Sequence, residues 1–402
     1  MMRITGVNKT FDVDVNLVGS KSESNRVLMI GYYGGFTPRV TNLSESDDTV
    51  LLSQIINEIN VKTRFIADCS NAGTVLRFLA TALAFRDGDW ILTGSDRMLQ
   101  RPIGDLVDAL RKMGADIEYM GQEGLPPLRI HGVGTRRATS DVHVNITHSS
   151  QFASSLLLVL PIVGTRRATS KIHLDGDLSS VPYIDMTIDV MRKFGIDVHR
   201  DGRDIFVQPS EYQDVECTIE SDWTCASYWY EMVAFSENGR ARLRNLHLDS
   251  KQGDAIVAKW FEQFGVKSVQ NGNDIIIEKS NSLIQNQLSF DFINNPDLYP
   301  TIAATCFGLG VKGEFTGLRN LIHKESDRVA AMTTELSSVR TDRVYPPIFD
   351  SHNDHRIAMA LAPLAMKIGA IEIDNADVVS KSYPNFWNDF SKLSRCAEGT
   401  PC

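Results

Sequence analysis

The stretch Lys324-Glu325-Ser326-Asp327-Arg328 is followed directly by the apolar run Val329 to Met332. If it opens a helix, Lys324 and Arg328 lie four residues apart on one face, with Glu325 in the first turn where a carboxylate is favoured. Two cations and a carboxylate in one small volume suit anion binding with a proton transfer beside it. The plain alternative is a solvated helix end carrying an i,i+4 charge pair. Other polar groups stand before apolar runs in the same way. Gly19-Ser20-Lys21-Ser22-Glu23-Ser24-Asn25-Arg26 precedes Val27 to Ile30, Asn71-Ala72-Gly73-Thr74 precedes Val75 to Phe85, and Ser149-Ser150-Gln151 precedes Phe152 to Leu160. Asn295-Pro296-Asp297 precedes Thr301 to Leu309, and Asp354-His355-Arg356 precedes Ile357 to Leu364. Helix N-termini present unpaired N–H groups and partial positive charge, so several together would trap phosphate or carboxylate.

Each group alone has a plain structural reading. Asn71 or Ser149 could be only an N-cap, Arg101-Pro102 only a proline-initiated helix, and Lys381-Ser382-Tyr383-Pro384 only a surface turn. Neither the GxxxxGK[ST] spacing of a P-loop nor a dinucleotide-binding GxGxxG is present. Their joint occurrence is what points to a site.

The elements that must position these groups repeat along the chain. Val107 to Asp116, Ile188 to Asp197 and Val257 to Lys267 each read as an amphipathic helix stopped by a glycine and followed by a strand. A second pattern runs from an apolar helix through a polar turn and a strand to Gly or Asn. It occurs at Leu76 to Gly94, Ser155 to Gly176, Tyr228 to Asn245, Ile302 to Gly317 and Ile357 to Asn375, and more weakly at Val27 to Asn42. Six units of about 65 residues suggest two domains of three units. A split near Cys217 to Ser221, with the first strand crossing back from the N-terminus, divides them evenly. It makes Gly19-Ser20 and 217–221 the expected hinge crossings.

Composition narrows the function classes. A chain of 402 residues exceeds a single core, and its net charge of −9 argues against a broad nucleic-acid surface. Any anion must be held by a local cationic cluster, which favours a small anionic substrate. Cys69, Cys217, Cys225, Cys306, Cys396 and Cys402 have neither zinc-site nor disulfide spacing. Met1 to Val18 alternates like a strand rather than a signal peptide, and no apolar run reaches the roughly 20 residues of a membrane span. The expected location is the cytoplasm.

The set GSKSxSNR, NAGT, RPIGDLVDAL, SSQF, PYIDMT, PD, KESDR, DHR and KSYP, in this order, resembles the 5-enolpyruvylshikimate-3-phosphate synthases, from the first strand to about Phe390. The resemblance implies an α/β (α+β) fold of two similar domains, residues 1–20 plus 221–402 and residues 21–220. Each would hold three βαβαββ-like repeats with helices packed inside the sheets, and the active site would lie in the interdomain cleft. The implied reaction moves the enolpyruvyl group of phosphoenolpyruvate to the 5-hydroxyl of shikimate 3-phosphate and releases phosphate, with no metal or organic cofactor. The implied shikimate 3-phosphate contacts are Lys21, Ser22, Arg26, Ser149, Ser150, Gln151, Ser180, Tyr183, Asp297, Asn320 and Lys324. The implied phosphoenolpyruvate contacts are Lys21, Gly73, Arg101, Gln151, Arg328, Arg356 and Lys381. Asp297 is assigned to the reacting hydroxyl and Glu325 to proton traffic at the methylene carbon, with Lys21 assisting. A monomer without nucleic-acid or membrane partners is expected.

Two rival readings remain. The sister UDP-N-acetylglucosamine enolpyruvyl transferases share fold and chemistry but have Lys-Asn where this chain has Lys21-Ser22, and usually a reactive cysteine before the Arg-Pro segment. Thr93 to Arg101 contains none. A catalytically inactive relative that binds phosphate esters is the other, favoured only by a shortened region. Family members usually have a further helix and a β-hairpin after Glu335-Leu336, whereas here only Ser337 to Asn353 remain before Asp354. Such a loss is expected to expose an edge. Glu23 places an acid near the expected anion site and would weaken binding if it points inward. The heptapeptide GTRRATS occurs at both Gly134 to Ser140 and Gly164 to Ser170 and reads as two solvated basic loops.

Overall fold

The computed structural model describes residues 1–134, 141–163, 168–341 and 345–393. The duplicated heptapeptide therefore lies outside the described residues except for Gly134 and the segment 168–170, as do Cys396 and Cys402. The four described cysteines are free. The chain divides into two compact units. Unit 1 comprises Met1–Ser20, Glu45–Asp47 and the chain from Glu220 onward, and unit 2 comprises Lys21–Ser44 and Asp48–Ile219. Each has its own apolar core.

Both units are built from one βαβαββ motif. In unit 2, strand Arg64–Asp68, helix Gly73–Ala84 and parallel strand Gly88–Thr93 are followed by helix Gly104–Lys112 and hairpin Asp116–Tyr119/Leu128–Gly132. The hairpin closes back antiparallel on Gly88–Thr93. The sheet of Asp141–Asn145, Ser170–Asp175, Val198–Asp201 and Asp204–Val207 repeats this order around helices Gln151–Val159 and Val181–Lys193. Unit 1 repeats it with Thr10–Val15, Asn238–Leu243, Val266–Asn271 and Asp274–Lys279 around helices Trp223–Phe235 and Val257–Glu262. The first helix of each motif is apolar nearly all round because it packs inside its unit, and Trp223–Phe235 is buried at all 13 positions. The second helix is stopped by a glycine at positive φ: Gly114 at 97°, Gly195 at 86° and Gly265 at 75°. The Gly or Asn that closes the second sequence pattern also takes positive φ at Asn42, Gly176, Asn245, Gly317 and Asn375.

The other repeats are shorter. Among the described residues Val40–Thr41 pairs with Cys217–Thr218 alone, and Met2–Ile4, Ile371–Ile373 and Ile348–Phe349 form a three-stranded sheet. The shortened region has a local consequence in unit 1. Strands Gln287–Asp291 and Lys312–Thr316 form a two-stranded parallel sheet, and helix Arg328–Thr341 has no hairpin after it among the described residues. A groove of about 300 Å³ remains beside this sheet, lined by Phe307, Val311, Phe315, Met332 and Leu336 among others. No helix among the described residues is long and apolar enough to cross a membrane.

Candidate functional site

The opening stretch folds differently from the expectation. The helix begins at Arg328, and Lys324, which ends a short 3-10 turn Arg319–His323, has extended backbone. Asp327 caps the helix, its Oδ1 accepting from the Val329 and Ala330 N–H groups at 3.2 and 3.1 Å. An aspartate with two free N–H groups ahead of it outcompetes another helical turn. Lys324 and Arg328 therefore do not share a helix face, and Glu325 precedes the helix rather than occupying its first turn. A third residue brings the cations together.

That residue is Asp297, in the 3-10 turn Pro296–Leu298. Its Oδ1 receives Arg328 Nη1 at 2.7 Å and lies 3.4 Å from Lys324 Nζ, while its Oδ2 receives Arg356 Nη2 at 2.8 Å. Arg328, only 1% exposed, also donates from Nη2 to Glu325 Oε2 at 2.9 Å and from Nε to Asp354 Oδ2 at 2.8 Å. Asp354 caps the helix His355–Leu361 by accepting the Arg356 N–H at 3.0 Å, and it takes the Ser326 hydroxyl at 3.0 Å. Three cations and three carboxylates thus share one network in unit 1, with Arg328, Asp354 and Arg356 buried and Asp297, Lys324 and Glu325 half-buried. Burial pushes the Asp297 carboxyl up, but Arg356, Lys324 and Arg328 outweigh it and hold it well below the usual carboxylate range. Burial also lowers the proton affinity of Arg328, and Asp354, Glu325 and Asp297 more than restore it. Asp254, buried with Thr224 Oγ1 at 2.5 Å and Asn295 Nδ2 at 3.3 Å, is pushed up to about 6 by burial and by Asp297. Asn320 lies in the turn Arg319–His323, and Lys381 ends the turn Ala376–Lys381, where it is buried.

Unit 2 gathers the remaining residues at helix starts. Lys21 is the first residue of helix Lys21–Gly34 and donates to Asp48 Oδ2 at 3.0 Å, with Ser22 next to it. Arg26, one turn on, donates to Thr187 Oγ1 at 2.7 Å, Ser22 O at 2.7 Å, Ser154 Oγ at 3.1 Å and Tyr183 O at 2.9 Å. These bonds brace the helices Lys21–Gly34, Gln151–Val159 and Val181–Lys193 against one another, and burial lowers its pKa to about 10. Ser150 stands at the N-cap of helix Gln151–Val159, and the Ser149 hydroxyl accepts the Gln151 N–H at 3.2 Å. The Gln151 side chain is fixed at both ends, accepting from Arg77 Nη1 at 2.7 Å and donating to Thr74 Oγ1 at 2.8 Å. Ser180, ahead of helix Val181–Lys193, has a left-handed backbone with φ of 54°, and Tyr183 donates its N–H to the Ser180 carbonyl at 3.1 Å. Non-glycine residues held in that region concentrate at functional sites.

Arg101 differs from the other arginines. It is buried, its Nε has no hydrogen-bond partner, and its one described bond is a long 3.5 Å contact from Nη1 to the Asn71 carbonyl. The guanidinium lies over Gly73, where a Cβ would meet its Nη2 at 2.7 Å and Nη1 at 2.8 Å. A buried guanidinium with spare donors at a helix start suits a bidentate anion. Glu23 points inward as far as burial is concerned, but Lys193 Nζ meets its Oε1 at 2.8 Å. Its charge is thereby compensated.

A family model described as EPSP synthase (3-phosphoshikimate 1-carboxyvinyltransferase) matches residues 7–390. The chain is 37% identical over 397 residues to a 3-phosphoshikimate 1-carboxyvinyltransferase of Bacteroides fragilis, with 94% of each chain covered. The chain belongs to the EPSP synthase family. A Vibrio cholerae relative of the same name is 35% identical, covering 95% of this chain and 97% of its own. Among solved structures, an EPSP synthase from Acinetobacter baumannii has a TM-score of 0.74 at 22% identity, covering 98% of this chain and 97% of its own. The enolpyruvyl transferase NikO from Streptomyces tendae has a TM-score of 0.69 at 14% identity, covering 97% and 96%. These two likenesses carry the fold of the EPSP synthase family, in agreement with the repeated motif.

Sequence reasoning missed several partners in this family member. The sequence groups Asp354 with Arg356 and carries no sign that it is the counter-ion of Arg328. Asp254, Asp48 and Arg77 belong to none of the motifs that the sequence offers. Asp254 stands alone in the sequence beside a helix start, and its 41-residue separation from Asn295 leaves no local signal.

Proposed function

We propose that this EPSP synthase family member transfers the enolpyruvyl group of phosphoenolpyruvate to the 5-hydroxyl of shikimate 3-phosphate, as a monomeric cytoplasmic enzyme. Family membership over nearly the whole chain supports the reaction, and the Asp297-centred network is the observation that carries the mechanism. Asp297 is assigned to take the proton of the 5-hydroxyl as its oxygen bonds to the central carbon of phosphoenolpyruvate. Glu325 is assigned to deliver a proton to the methylene carbon, giving a tetrahedral ketal phosphate. Elimination then removes a methyl proton, breaks the carbon–phosphate oxygen bond and releases phosphate. Lys21 is assigned to assist either transfer.

The paired state has a chemical consequence. An aspartate held well below its usual range by three cations is a weak base. When the anionic groups of phosphoenolpyruvate engage Arg328 and Arg356 and shikimate 3-phosphate engages Lys324, their negative charge offsets the cations beside Asp297, and its basicity rises when the hydroxyl is present. Lys21, Arg101, Lys381, Gln151 and the Gly73 backbone are assigned with Arg328 and Arg356 to phosphoenolpyruvate. Lys21, Ser22, Arg26, Ser149, Ser150, Gln151, Ser180, Tyr183, Asn320 and Lys324 are assigned with Asp297 to shikimate 3-phosphate. The fixed cations stabilise developing charge without reorganising.

The test is phosphate release from phosphoenolpyruvate by the purified protein, with shikimate 3-phosphate or UDP-N-acetylglucosamine as acceptor. Release with shikimate 3-phosphate alone is expected. Release only with the nucleotide sugar, or with neither from a folded protein, refutes the reading. Lys324→Ala and Arg356→Ala are each expected to remove turnover while the circular dichroism spectrum stays native; turnover in both refutes the assigned network.

A further inference from the structure

On the outer face of one unit 2 sheet, strands Asp141–Asn145 and Ser170–Asp175 run parallel with His143 opposite His173 and Asn145 opposite Asp175. Alternate residues of a strand share a face, so both imidazoles and the Asp175 carboxylate project to the same side. Val142, Val144, Ile172 and Leu174 fill the core on the other side. The two rings are 5.0 Å apart between centroids. His143 Nδ1 is 3.3 Å from one Asp175 oxygen and His173 Nε2 is 3.6 Å from the other. The three donor atoms all lie within 4.8 Å of one another, and no other such His, Cys, Asp and Glu group occurs among the described residues. Metal–ligand bonds of about 2.0–2.1 Å in a tetrahedral shell require ligand atoms about 3.3 Å apart, close to the 3.3 and 3.6 Å separations between the imidazole nitrogens and the Asp175 oxygens.

A second feature orients the central ligand. His173 Nδ1 is 2.5 Å from Asp204 Oδ1, and the other Asp204 oxygen is 3.1 Å from Lys171 Nζ. Asp204 stands directly opposite His173 on the neighbouring antiparallel strand. A carboxylate on one imidazole nitrogen fixes the tautomer, makes the ring more basic and leaves the other nitrogen's lone pair for a metal.

We propose that His143, His173 and Asp175 form a zinc-class divalent-cation site on unit 2, with Asp204 as the positioning residue behind His173. Two imidazoles and one carboxylate are a borderline donor set that suits zinc and its neighbours rather than magnesium or calcium, and three protein ligands leave room for water. The site ties the two strands together, with Asp175 the last residue of its strand. The chain then continues from Asn145 to Ser149–Gln151 and from Asp175 to Ser180, so a bound ion steadies the segments that carry those residues. It takes no part in the transfer reaction.

The experiment is zinc titration of the tag-free, chelator-stripped full chain against a chromogenic chelator, with circular dichroism and phosphate release measured on every variant. One ion per chain is expected at neutral pH, and stripping with a stronger chelator is expected to return the protein to its metal-free state. His173→Ala abolishes binding, His143→Ala weakens it at least tenfold, and Asp204→Asn weakens it by about 10–100-fold. All three variants keep native spectra and basal turnover, because none carries a core or substrate contact. Cobalt substitution gives visible d–d bands that vanish in His173→Ala. Absence of stoichiometric zinc binding by the native chain, or native affinity in a folded His143→Ala/His173→Ala double variant, overturns the inference.

Discussion

At the scale of single residues, what distinguishes the charged groups is whether their donors are already used. Arg26 and Arg328 spend nearly every N–H on protein oxygens, whereas Arg101 keeps its Nε without a partner. Gly73 makes the position of Arg101 possible, since a methyl group there would fall 2.7–2.9 Å from the guanidinium. Gly73→Ala is expected to displace Arg101 and raise KM for phosphoenolpyruvate roughly tenfold to a hundredfold, the scale on which an ångström of misplacement is felt. KM for shikimate 3-phosphate should change less, and thermal stability little. Steady-state kinetics with each substrate varied in turn check this; an unchanged KM for phosphoenolpyruvate would separate Gly73 from Arg101. The types of these residues are legible in the sequence, but the number of donors each retains is set by neighbours far along the chain.

At the scale of elements, the repeated motif was readable because helix stops and strand lengths are short-range features. Gly114, Gly195 and Gly265 end helices by adopting backbone that other residues avoid, and the sequence carries that directly. The start of helix Arg328–Thr341 differs from the expectation because the cap formed by the Asp327 side chain outcompetes one more helical turn. Among the described residues, the two-stranded sheet of Gln287–Asp291 and Lys312–Thr316 has no hairpin like the one that flanks Asn238–Leu243. An open edge leaves backbone groups to water and lowers the free energy of local opening. Amides of Leu288–Asp291 and Gly313–Thr316 are therefore expected to exchange hydrogen at least about tenfold faster than those of Ala241–Leu243. Native-state exchange by mass spectrometry or NMR measures it, and equal protection would mean that the short sheet is covered.

At the scale of the whole molecule, each unit has a separate core and can be expected to report its own stability. Glu231 lies in helix Trp223–Phe235 of unit 1, 0% exposed, with both carboxyl oxygens unbonded. Burial pushes its pKa well above the ordinary value. A carboxyl whose folded pKa is raised stabilises the fold relatively below its unfolded pKa of about 4.3, and that contribution is lost as pH rises toward the folded pKa. Glu231→Met should therefore stabilise unit 1 by about 1–3 kcal/mol near neutral pH, with a smaller gain near pH 4. In calorimetry the gain should appear only in the unfolding component of unit 1; a destabilised variant, or a gain that grows toward acid, would contradict the assignment.

The amino-acid sequence by itself determined the α/β class, the sixfold repeat, the family resemblance and the residue types gathered at helix starts. Periodicity, caps, glycine stops and motif order are all local, so a one-dimensional reading holds them. Only the tertiary structure decided which charges meet. Arg328 finds Asp354 across 26 residues, Arg356 finds Asp297 across 59, and His143 faces His173 across a strand register rather than a short motif. Asp254 and Glu231 titrate as they do because folding removes water from them and sets their neighbours. Such contacts depend on chain topology and on the order in which strands pair, and no spacing along the chain encodes them.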